Sequence, residues 1–306
     1  MNTLMSVTFY NTKSSVCDRA EDIIESTVKE TENIFSATDE KAEVYGFNNR
    51  NSESFNCSPD FCNALIKAKQ GYDITNGAYD ITIMPVLEEW GFSDGGYRVP
   101  SEKEIKAALK NTGFSRLNMT GSTVTADTCV KINLGGIAKG YLGDVLIKKL
   151  KSENINAVIS LGGNIVTIGT RPDKEPWNVA IKNPNTENDI FCTVKVESET
   201  SVVTSGGYER YFEFKDKTYH HIIDPKTGYP SESDILSVTV IGKDGALCDA
   251  LSTGLFVLGT EKAVKTMNSR NDLDYVILTK DSRVYTSLKT EKIALTEESG
   301  CTLVTQ

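Results

Sequence analysis

A single carboxylate in the middle of an apolar helix constrains this chain more than any other feature of its sequence. Residues 246–256 read Ala-Leu-Cys-Asp-Ala-Leu-Ser-Thr-Gly-Leu-Phe, and the apolar segment extends to Leu258. This composition predicts a buried helix over Ala246–Leu258 that ends at Gly259. An ionised carboxylate in such a helix costs several kcal/mol unless it is paired or binds a metal. The fold must therefore supply a partner for Asp249.

Thr253 lies four residues after Asp249 and thus on the same face of the predicted helix. A carboxylate and a hydroxyl oxygen form a hard ligand set, which suits Mg²⁺ rather than zinc. Two other interpretations use the same carboxylate: Asp249 caps a loop amide, or it pairs with a lysine. The residues alone leave the metal site and these two structural roles open.

Four other segments concentrate glycine and polar residues between apolar runs. They are residues 75–82, residues 133–141, residues 160–165, and residues 204–208 together with 220–228. In the second of them, Gly135 and Gly136 precede a predicted helix, where the backbone can approach an anion and free N–H groups face it. Lys139 falls in the first turn, where a cation opposes the helix dipole unless it faces a phosphate. The segment is therefore either a phosphate-binding site or a tight strand-to-helix turn.

The chain has two histidines, and they are adjacent. Imidazole chemistry is therefore confined to His220 and His221, and a histidine-rich zinc site is excluded. Neighbouring side chains on a strand point to opposite faces, so at most one of the two histidines enters a given site. Each of them is either a candidate base or a hydrogen-bonded structural residue.

The charge balance bears on the partners of the protein. The 42 acidic residues outnumber the 33 basic ones, which gives a net charge of −9 without a basic block. Such a chain is a poor ligand for nucleic acids or anionic membranes, so we expect neither as a partner. The seven cysteines are scattered without a C-x-x-C pair, which indicates free thiols in a reducing compartment. Its N-terminus lacks the pattern of a signal peptide, so we expect this chain to be cytoplasmic.

Helices and strands alternate along the chain without a regular βαβ order. Periodicity and capping residues predict helices over residues 15–35, over Phe61–Ala68 after the N-cap Ser58, from the capping box of Ser101 and Glu104 to near Gly113, and after Gly136. Strands are predicted at Leu4–Tyr10, Val158–Leu161, Trp177–Ile181, Ser237–Ile241 and Tyr275–Leu278. The irregular alternation favours an α+β fold of mixed sheets with flanking helices over a doubly wound sheet. No linker interrupts the pattern, so residues 1–306 are predicted to form a single globular domain.

Taken in order, these segments resemble the ApbE family, the FAD:protein FMN transferases. The similar strings are G-A-Y-D-I-T, P-x-x-x-x-W-G-F, N-L-G-G-I-A-K-G-Y, L-G-G-N-I, T-S-G-x-Y, H-I-I-D-P-x-T-G and D-A-L-S-T, and they run through nearly the whole chain. The resemblance implies a T-fold-like arrangement of sheets and helices. Met1-Asn2-Thr3 is also similar to the Met-Gly-Thr start of the family's mature domain. That similarity suggests that a leader was removed, in which case the protein is an extracytoplasmic lipoprotein.

The resemblance implies a role for each matching residue of this sequence. The FAD contacts that it implies are Ala78, Tyr79, Asp80, Asn133 and Lys139. The magnesium ligands that it implies are the side chains of Asp249 and Thr253 and the backbone carbonyl of Gly136. His221, the histidine of H-I-I-D-P, is implied as the catalytic base. Two positions depart from the family pattern, because Asn133 replaces the usual Asp and Ala42 replaces a common Ser.

The activity implied by the resemblance is the Mg²⁺-dependent transfer of FMN from FAD to a Thr or Ser hydroxyl of an acceptor protein, with release of AMP. The acceptors implied are flavin-carrying redox proteins with segments similar to [S/T]-G-A-[S/T]. This chain contains no such segment, so it is not expected to modify itself. Two alternatives stay open: a Mg²⁺-dependent FAD pyrophosphatase that yields FMN and AMP, and a non-catalytic FAD-binding protein.

Overall fold

The structure is a computed structural model that describes residues 3–10, 13–184, 186 and 189–304. Its helices are α1 Ser14–Phe35, α2 Glu43–Asn48, α3 Pro59–Ile74, α4 Met84–Trp90, α5 Glu102–Leu109, α6 Gly135–Ser152, α7 Gly245–Leu258 and α8 Thr260–Asn268. Its strands are β1 Met5–Tyr10, β2 Ser54–Asn56, β3 Asn118–Thr120, β4 Thr123–Thr125, β5 Asn156–Leu161, β6 Asn164–Ile168, β7 Trp177–Lys182, β8 Ile190–Val196, β9 Thr200–Gly206, β10 Tyr211–Phe214, β11 Lys217–His220, β12 Ile235–Gly242, β13 Asp274–Thr279, β14 Arg283–Thr286, β15 Ile293–Leu295 and β16 Thr302–Val304. Met1 and Asn2, the first two residues of the segment that is similar to the Met-Gly-Thr start, lie outside the described residues.

Eight strands form the main sheet, in the order β1-β5-β6-β9-β12-β13-β14-β16. Neighbouring strands in it pair antiparallel except β14 and β16, which are parallel. Two three-stranded sheets, β15-β8-β7 and β2-β4-β3, and the hairpin β10–β11 accompany it. These sheets and their flanking helices confirm the predicted α+β class. Antiparallel pairing needs no helical crossover between strands, which explains why the sequence lacks a regular βαβ order.

The main sheet is covered on both faces. On one face, Val203 of β9 and Val238 of β12 share a core with Leu251 and Leu255 of α7. On the other face, Val202 shares a core with the sheet β15-β8-β7. Adjacent strand residues point to opposite faces, so the continuous apolar pair at positions 202 and 203 serves both layers. This two-sided burial holds α7 against the middle of the sheet.

Glycines let the neighbouring helices approach α7 closely. A Cβ atom on Gly140 of α6 would lie 2.0 Å from the carbonyl oxygen of Gly245, the first residue of α7. A Cβ atom on Gly71 of α3 would lie 2.7 Å from Cβ of Ala250. A larger residue at either position would force the helices apart, so glycine allows both α3 and α6 to contact α7 near Asp249.

Helix α3 begins as predicted but ends later. The Ser58 hydroxyl accepts a hydrogen bond from the backbone N–H of Phe61 at 3.2 Å, which confirms the predicted N-cap. The helix continues to Ile74 instead of Ala68. Its last turns pack on α7 through Gly71, and such a contact between distant parts of the chain leaves no local periodic signal.

The capping box of Ser101 and Glu104 at the start of α5 is also confirmed. The helix ends at Leu109, earlier than predicted. Gly113, which has a φ of +122°, instead precedes a 3₁₀ turn at Phe114–Arg116. Strands β5, β7, β12 and β13 contain the predicted segments and extend them by one to three residues in total. Among the helices of the described residues, none combines the length and the apolar composition that a membrane crossing requires.

Candidate active site

Asp249 lies in α7 with 3% of its surface exposed, at the point where this helix contacts α6. Its Oδ2 atom accepts a hydrogen bond from the backbone N–H of Gly140 at 2.9 Å. Burial raises the pKa of this carboxyl group above its usual value, while the charge of Lys139 and the Gly140 N–H favour the ionised form. Both structural roles that the sequence left open, an amide partner and a lysine partner, are thus part of the environment of Asp249.

Thr253 and Gly136, the other two predicted magnesium ligands, lie next to each other where α6 meets α7. The Thr253 hydroxyl is 3.4 Å from the carbonyl oxygen of Asp249 and 3.3 Å from the hydroxyl of Ser205 on β9. A Cβ atom on Gly136 would lie 3.5 Å from Oγ1 of Thr253 and 3.1 Å from the Tyr79 ring. The start of α6 therefore faces α7 with no side chain of its own in between. The structure brings the three predicted metal ligands together.

Two buried polar side chains at this site make no hydrogen bond of normal geometry within the described residues. The Tyr79 hydroxyl is one of them, and burial, followed by the charges of Asp249 and Asp80, holds its pKa well above the usual value. The other is Asn164, which has no hydrogen bond of normal geometry although it favours the ionised form of Asp249. An unsatisfied buried polar group costs roughly 1–3 kcal/mol, so these groups are typical of a site that a ligand completes.

The residues around Asp249 fit a magnesium ion. One carboxylate, one hydroxyl and one backbone carbonyl are all hard oxygen donors. In the described part of the chain, no group of three His, Cys, Asp or Glu side chains is placed to hold a metal, so these residues do not build a zinc-type site. Mg²⁺ needs only one or two protein carboxylates where substrate phosphates supply other ligands, and Asp249 provides one.

His221 follows directly after β11. Its Nδ1 atom is 3.0 Å from the carbonyl oxygen of Arg210, which can only accept, so in the neutral ring Nδ1 carries the proton and Nε2 is free to accept one. Burial lowers the pKa of His221 to about 4, and the positive charges of Arg210 and Lys139 act in the same direction. His221 is nevertheless partly exposed, so the surrounding protein lowers its pKa without removing it completely from solvent. The charge of Lys139 lowers the pKa of His221 and favours the ionised form of Asp249, so the ammonium group lies within electrostatic range of both.

His220 has a structural environment. Its Nε2 atom lies 3.1 Å from the carbonyl oxygen of Ser231, and its Nδ1 atom accepts from the backbone N–H of Ile222 at 3.3 Å. Its ring packs edge-on against Phe256, with 5.6 Å between the ring centroids. Both ring nitrogens of His220 are therefore engaged by the backbone. The two histidines occupy different surroundings, and His221 is the one with a nitrogen left for chemistry.

Lys139 extends from α6 toward the turn after β5. Its Nζ atom is 3.5 Å from the carbonyl oxygen of Gly162, in the glycine pair that the sequence singled out. An ammonium group has three donors, and a hydrogen bond this long leaves the group available to an anionic ligand. The position of Lys139 agrees with the phosphate-facing interpretation of its segment.

Ala78 and Tyr79 form a buried turn after α3. The backbone N–H of Ala78 bonds to the carbonyl of Thr75, and that of Tyr79 bonds to the Thr75 hydroxyl, each at 3.1 Å. Gly77 takes the left-handed conformation that this turn requires, with a φ of +79°. The turn directs the Tyr79 ring toward Gly136.

Asp80 and Asn133 both hold loops next to the site. The Asp80 carboxylate accepts from the backbone N–H and the hydroxyl of Thr82, at 2.8 and 2.6 Å, and from the backbone N–H of Phe114 at 3.1 Å. The Asn133 side chain accepts from the backbone N–H of Gly135 at 2.8 Å and so shapes the turn into α6. Both side chains have a structural role, and their contacts with FAD stay a prediction.

The sequence model of the ApbE family matches residues 1–277. The chain belongs to the ApbE family. It is 34% identical over 224 residues to a FAD:protein FMN transferase of Klebsiella pneumoniae (strain 342), covering 72% of this chain and 69% of that protein. The crystal structure of the ApbE protein from Thermotoga maritima has a TM-score of 0.83, 33% identity and 91% coverage of both chains. Flavin transferase ApbE from Vibrio cholerae has a TM-score of 0.81 and 27% identity, with 97% of this chain and 94% of that chain covered.

This member of the ApbE family also contains a cavity that the sequence reasoning missed. The cavity has a volume of about 270 Å³ and lies between the segment around α2 and the segment around α4. It is lined by Ala37, Thr38, Tyr45, Asn48, Asn49, Met84, Glu88, Ser93, Asp94 and Lys131. The amide nitrogen of Asn133 is 3.7 Å from the Met84 sulfur, so the cavity adjoins the loop that enters α6. The sequence feature that pointed to the region of this cavity was Ala42, which replaces a Ser that is common in the family.

Three further residues of this ApbE-family site were also missed. The Asp144 carboxylate accepts from the backbone N–H groups of Gly245 and Ala246, at 2.7 and 2.9 Å, and so holds the start of α7. Burial raises the pKa of Asp144 to about 6. Asn164 and Ser205 lie in glycine-rich segments that the sequence did indicate, but nothing local showed that these side chains face the residues of α7.

Proposed function

We propose that the protein transfers FMN from FAD to a Thr or Ser hydroxyl of an acceptor flavoprotein and releases AMP, in a reaction that requires Mg²⁺. The observation that carries this proposal is the neutral imidazole of His221, whose Nε2 atom can accept a proton, together with the buried carboxylate of Asp249 and with Lys139, whose charge acts on both. Membership of the ApbE family, and relatives named FAD:protein FMN transferase, support it. Simple FAD binding does not need a base beside metal ligands, which favours catalysis.

Asp249, Thr253 and the backbone carbonyl of Gly136 would hold the Mg²⁺ ion. When bound, Mg²⁺ supplies positive charge that neutralises the charge developing on the FAD diphosphate. Lys139 adds a second positive charge, and the N-terminus of α6 offers backbone N–H groups to the same phosphates. This local positive field explains how a chain with a net charge of −9 binds a dinucleotide.

His221 would take the proton of the acceptor hydroxyl. The Arg210 carbonyl fixes the ring orientation and the tautomer with the proton on Nδ1. Nε2 accepts the hydroxyl proton while the hydroxyl oxygen attacks the phosphorus that carries riboflavin. The bond from that phosphorus to the oxygen of the AMP half breaks, AMP leaves, and FMN stays on the acceptor as a phosphoester. The lowered pKa keeps the ring unprotonated at neutral pH before each transfer.

The FAD contacts that we propose are Ala78, Tyr79, Asp80, Asn133 and Lys139. The unpartnered Tyr79 hydroxyl and the Lys139 ammonium group support this set, since both lie beside the metal ligands. Asp80 and Asn133 would act through the loops that they hold. The cavity beside Asn133 is a candidate site for an aromatic ring of FAD.

We further propose that the acceptor is a flavin-carrying redox protein with a [S/T]-G-A-[S/T] segment. Residues 1–306 would act as one domain, because the site combines residues from position 79 to position 253.

For the compartment, we propose the cytoplasm, with an extracytoplasmic lipoprotein as the alternative. Fractionation of cells that carry the tagged full-length gene product would distinguish the two locations.

One experiment distinguishes the proposed transfer from its alternatives. Purified protein, FAD and Mg²⁺ are incubated with an acceptor that bears the [S/T]-G-A-[S/T] segment. We expect the acceptor mass to rise by one FMN less one water, with one AMP released for each FMN transferred. An acceptor with Ala at both hydroxyl positions is the control and should gain no mass. Free FMN and AMP without an acceptor adduct would indicate a pyrophosphatase, and bound, unchanged FAD would contradict both enzymatic activities.

A further inference from the structure

Cys57 and Cys62 flank the first turn of α3. Ser58 is the N-cap of this helix, so Cys57 precedes the N-cap and Cys62 occupies the fourth helical position. Side chains at these two positions pack against each other in the hydrophobic staple, which fixes how a chain enters a helix. Cys57 belongs to the core around Phe61, and Cys62 packs against the same core. The staple of α3 is therefore built from two thiols.

The two thiols occupy neighbouring staple positions against one core but differ in environment. Cys57 is 8% exposed and its thiol donates to the carbonyl oxygen of Phe55 at 3.8 Å, whereas Cys62 is partly exposed. Burial, followed by the charges of Cys62 and Glu43, raises the pKa of Cys57 to about 12. Glu43 lies close because its carboxylate accepts from the backbone N–H and the hydroxyl of Ser58, at 2.5 and 2.6 Å. An oxidant from solvent therefore meets Cys62 first, with the protonated thiol of Cys57 directly behind it.

We propose that Cys62 and Cys57 form a reversible disulfide when the protein meets hydrogen peroxide. The Cys62 sulfur attacks one peroxide oxygen, the O–O bond breaks, and the products are a Cys62 sulfenic acid and water. The Cys57 sulfur then attacks the Cys62 sulfur and the S–O bond breaks. The hydroxyl leaves with the Cys57 proton as a second water. Two electrons have passed from the two thiols to peroxide, and a dithiol reductant returns them.

The packing of the staple explains why disulfide formation with Cys57 would be faster than further oxidation of the Cys62 sulfenic acid. The resolving thiol already lies at the paired position of the staple and in the same core, so we expect the two sulfurs to meet without unfolding of the backbone. The turn between them is held by the Ser58 hydroxyl, which accepts from the backbone N–H of Phe61 at 3.2 Å, and by Glu43. Cys57 thus protects Cys62 from the irreversible sulfinic and sulfonic acids.

Mass spectrometry can read this oxidation directly. Trypsin places both cysteines in one peptide, residues 51–67, because Lys67 is the first basic residue after Arg50. After mild peroxide treatment and alkylation of free thiols, we expect an unalkylated peptide about 2 Da lighter than its reduced form. A dithiol reductant added before alkylation should restore the doubly alkylated peptide. Cys192 and Cys301, which share another core but lie in separate peptides, serve as the comparison pair and should stay alkylated.

Two serine variants separate the roles of the thiols. In Cys57→Ser, peroxide should leave a Cys62 sulfenic acid that dimedone traps, followed by sulfinic acid as peroxide increases. In Cys62→Ser, the buried Cys57 should stay a thiol at the same dose. Thermal melts identify any variant that fails to fold, and the wild-type peptide tests the proposal without a variant. An unchanged peptide, sulfinic acid at Cys62 in the wild type, or a disulfide from either residue to another cysteine would overturn the proposal.

Discussion

The carboxylate of Asp249 in α7 is hydrogen-bonded to the backbone N–H of Gly140 in α6 at 2.9 Å. This bond crosses the contact where a Cβ atom on Gly140 would lie 2.0 Å from the carbonyl oxygen of Gly245. Gly136 and Lys139 precede Gly140 in the same helix, so the bond also fixes the start of α6 relative to α7. The close approach of two backbones is therefore a condition for assembling the site.

Gly140→Ala should force α6 away from α7. We expect the free energy of unfolding to fall by about 1–3 kcal/mol, because the new methyl group meets backbone atoms that cannot move aside. FMN transfer should fall as well, since the bond to Asp249 is lost. Urea unfolding followed by circular dichroism measures the first effect, and the acceptor mass measures the second.

The matched control is Gly46→Ala in helix α2. Its new Cβ atom would lie 3.7 Å from the Phe55 ring, which is an ordinary contact. Ala also favours a helix over Gly, so the stability of this variant should not fall. Equal free energies of unfolding for Gly140→Ala and Gly46→Ala would contradict the close contact between α6 and α7.

Asp249→Asn should remove Mg²⁺-dependent transfer while keeping the fold. The amide oxygen of Asn can still accept from the Gly140 N–H, whereas the charge that attracts the metal is lost. We expect the transfer rate to fall more than about 100-fold. Mutating a residue that only hydrogen-bonds to a metal ligand already lowers metal affinity or activity about 10–100-fold, and Asp249 would itself be a ligand. The measurement is the rate of acceptor flavinylation as Mg²⁺ is varied, and full activity with Mg²⁺ would contradict the metal assignment.

The same variant should be at least as stable as the wild type without metal. Burial raises the pKa of Asp249, so the folded state holds this proton more tightly than the unfolded state does. The stability from that proton is present at low pH and is lost as the pH rises through the folded-state pKa. At neutral pH the buried carboxylate therefore lowers the free energy of unfolding of the wild type, and the uncharged Asn does not. In EDTA, the Tm of Asp249→Asn should equal or exceed that of the wild type, and only the wild type should gain Tm with Mg²⁺.

His221 should stay neutral in the free protein until the pH approaches about 4. A histidine in an unfolded chain titrates near about 6.5. With two histidines in the chain, the ring signals in an NMR titration of labelled protein can be assigned with the single variant His220→Gln. A His221 midpoint near the unfolded value would show that the ring is not enclosed as described.

The lowered pKa of His221 also makes folding sensitive to acid. Between about pH 6.5 and pH 4, the unfolded state binds a proton that the folded state does not, so stability falls as the pH is lowered through this range. His221→Gln should reduce that loss. Burial lowers the pKa of His220 too, so His220→Gln should reduce it as well but keep the transfer activity. Urea unfolding at several pH values measures both effects, and an unchanged pH dependence in His221→Gln would contradict the assignment.

Lys139→Met should weaken FAD binding by about tenfold or more, because a charge-assisted hydrogen bond to a phosphate contributes about 1.5–3 kcal/mol. Lys151→Met is the control on the same helix, since the Lys151 side chain is 62% exposed and pairs with Glu199 at 3.3 Å. Quenching of FAD fluorescence gives the two dissociation constants. Equal constants for the two variants would remove Lys139 from the FAD site.

Much of the candidate site could be predicted from local sequence. An apolar helix with one carboxylate, a Thr four residues later and a glycine pair before a lysine are patterns within a few residues of each other. The N-cap Ser58 and the capping box of Ser101 were predictable for the same reason, because a side chain there bonds to a backbone group three residues away. The α+β class also followed from the irregular order of helices and strands.

Other features had no local signal. The extension of α3 to Ile74 depends on its packing against α7, and the loop-holding role of Asp80 depends on Phe114, 34 residues later. The choice between the two histidines could be made from the resemblance alone. The physical reason for it, that both nitrogens of His220 are engaged while Nε2 of His221 is free, required the carbonyls of Ser231 and Arg210.

The sequence by itself therefore determined which chemical groups this protein has for a site: one buried carboxylate, one hydroxyl, paired glycines, one lysine and two candidate imidazoles. Only the tertiary structure decided which of them meet and in which state. Asp249 has a raised pKa and His221 a lowered one because both are enclosed. Contacts between α6 and α7 enclose Asp249, whereas Arg210 and Phe92 lie against His221. Local patterns select residue types and helix ends, whereas burial depends on segments that are far apart in the chain.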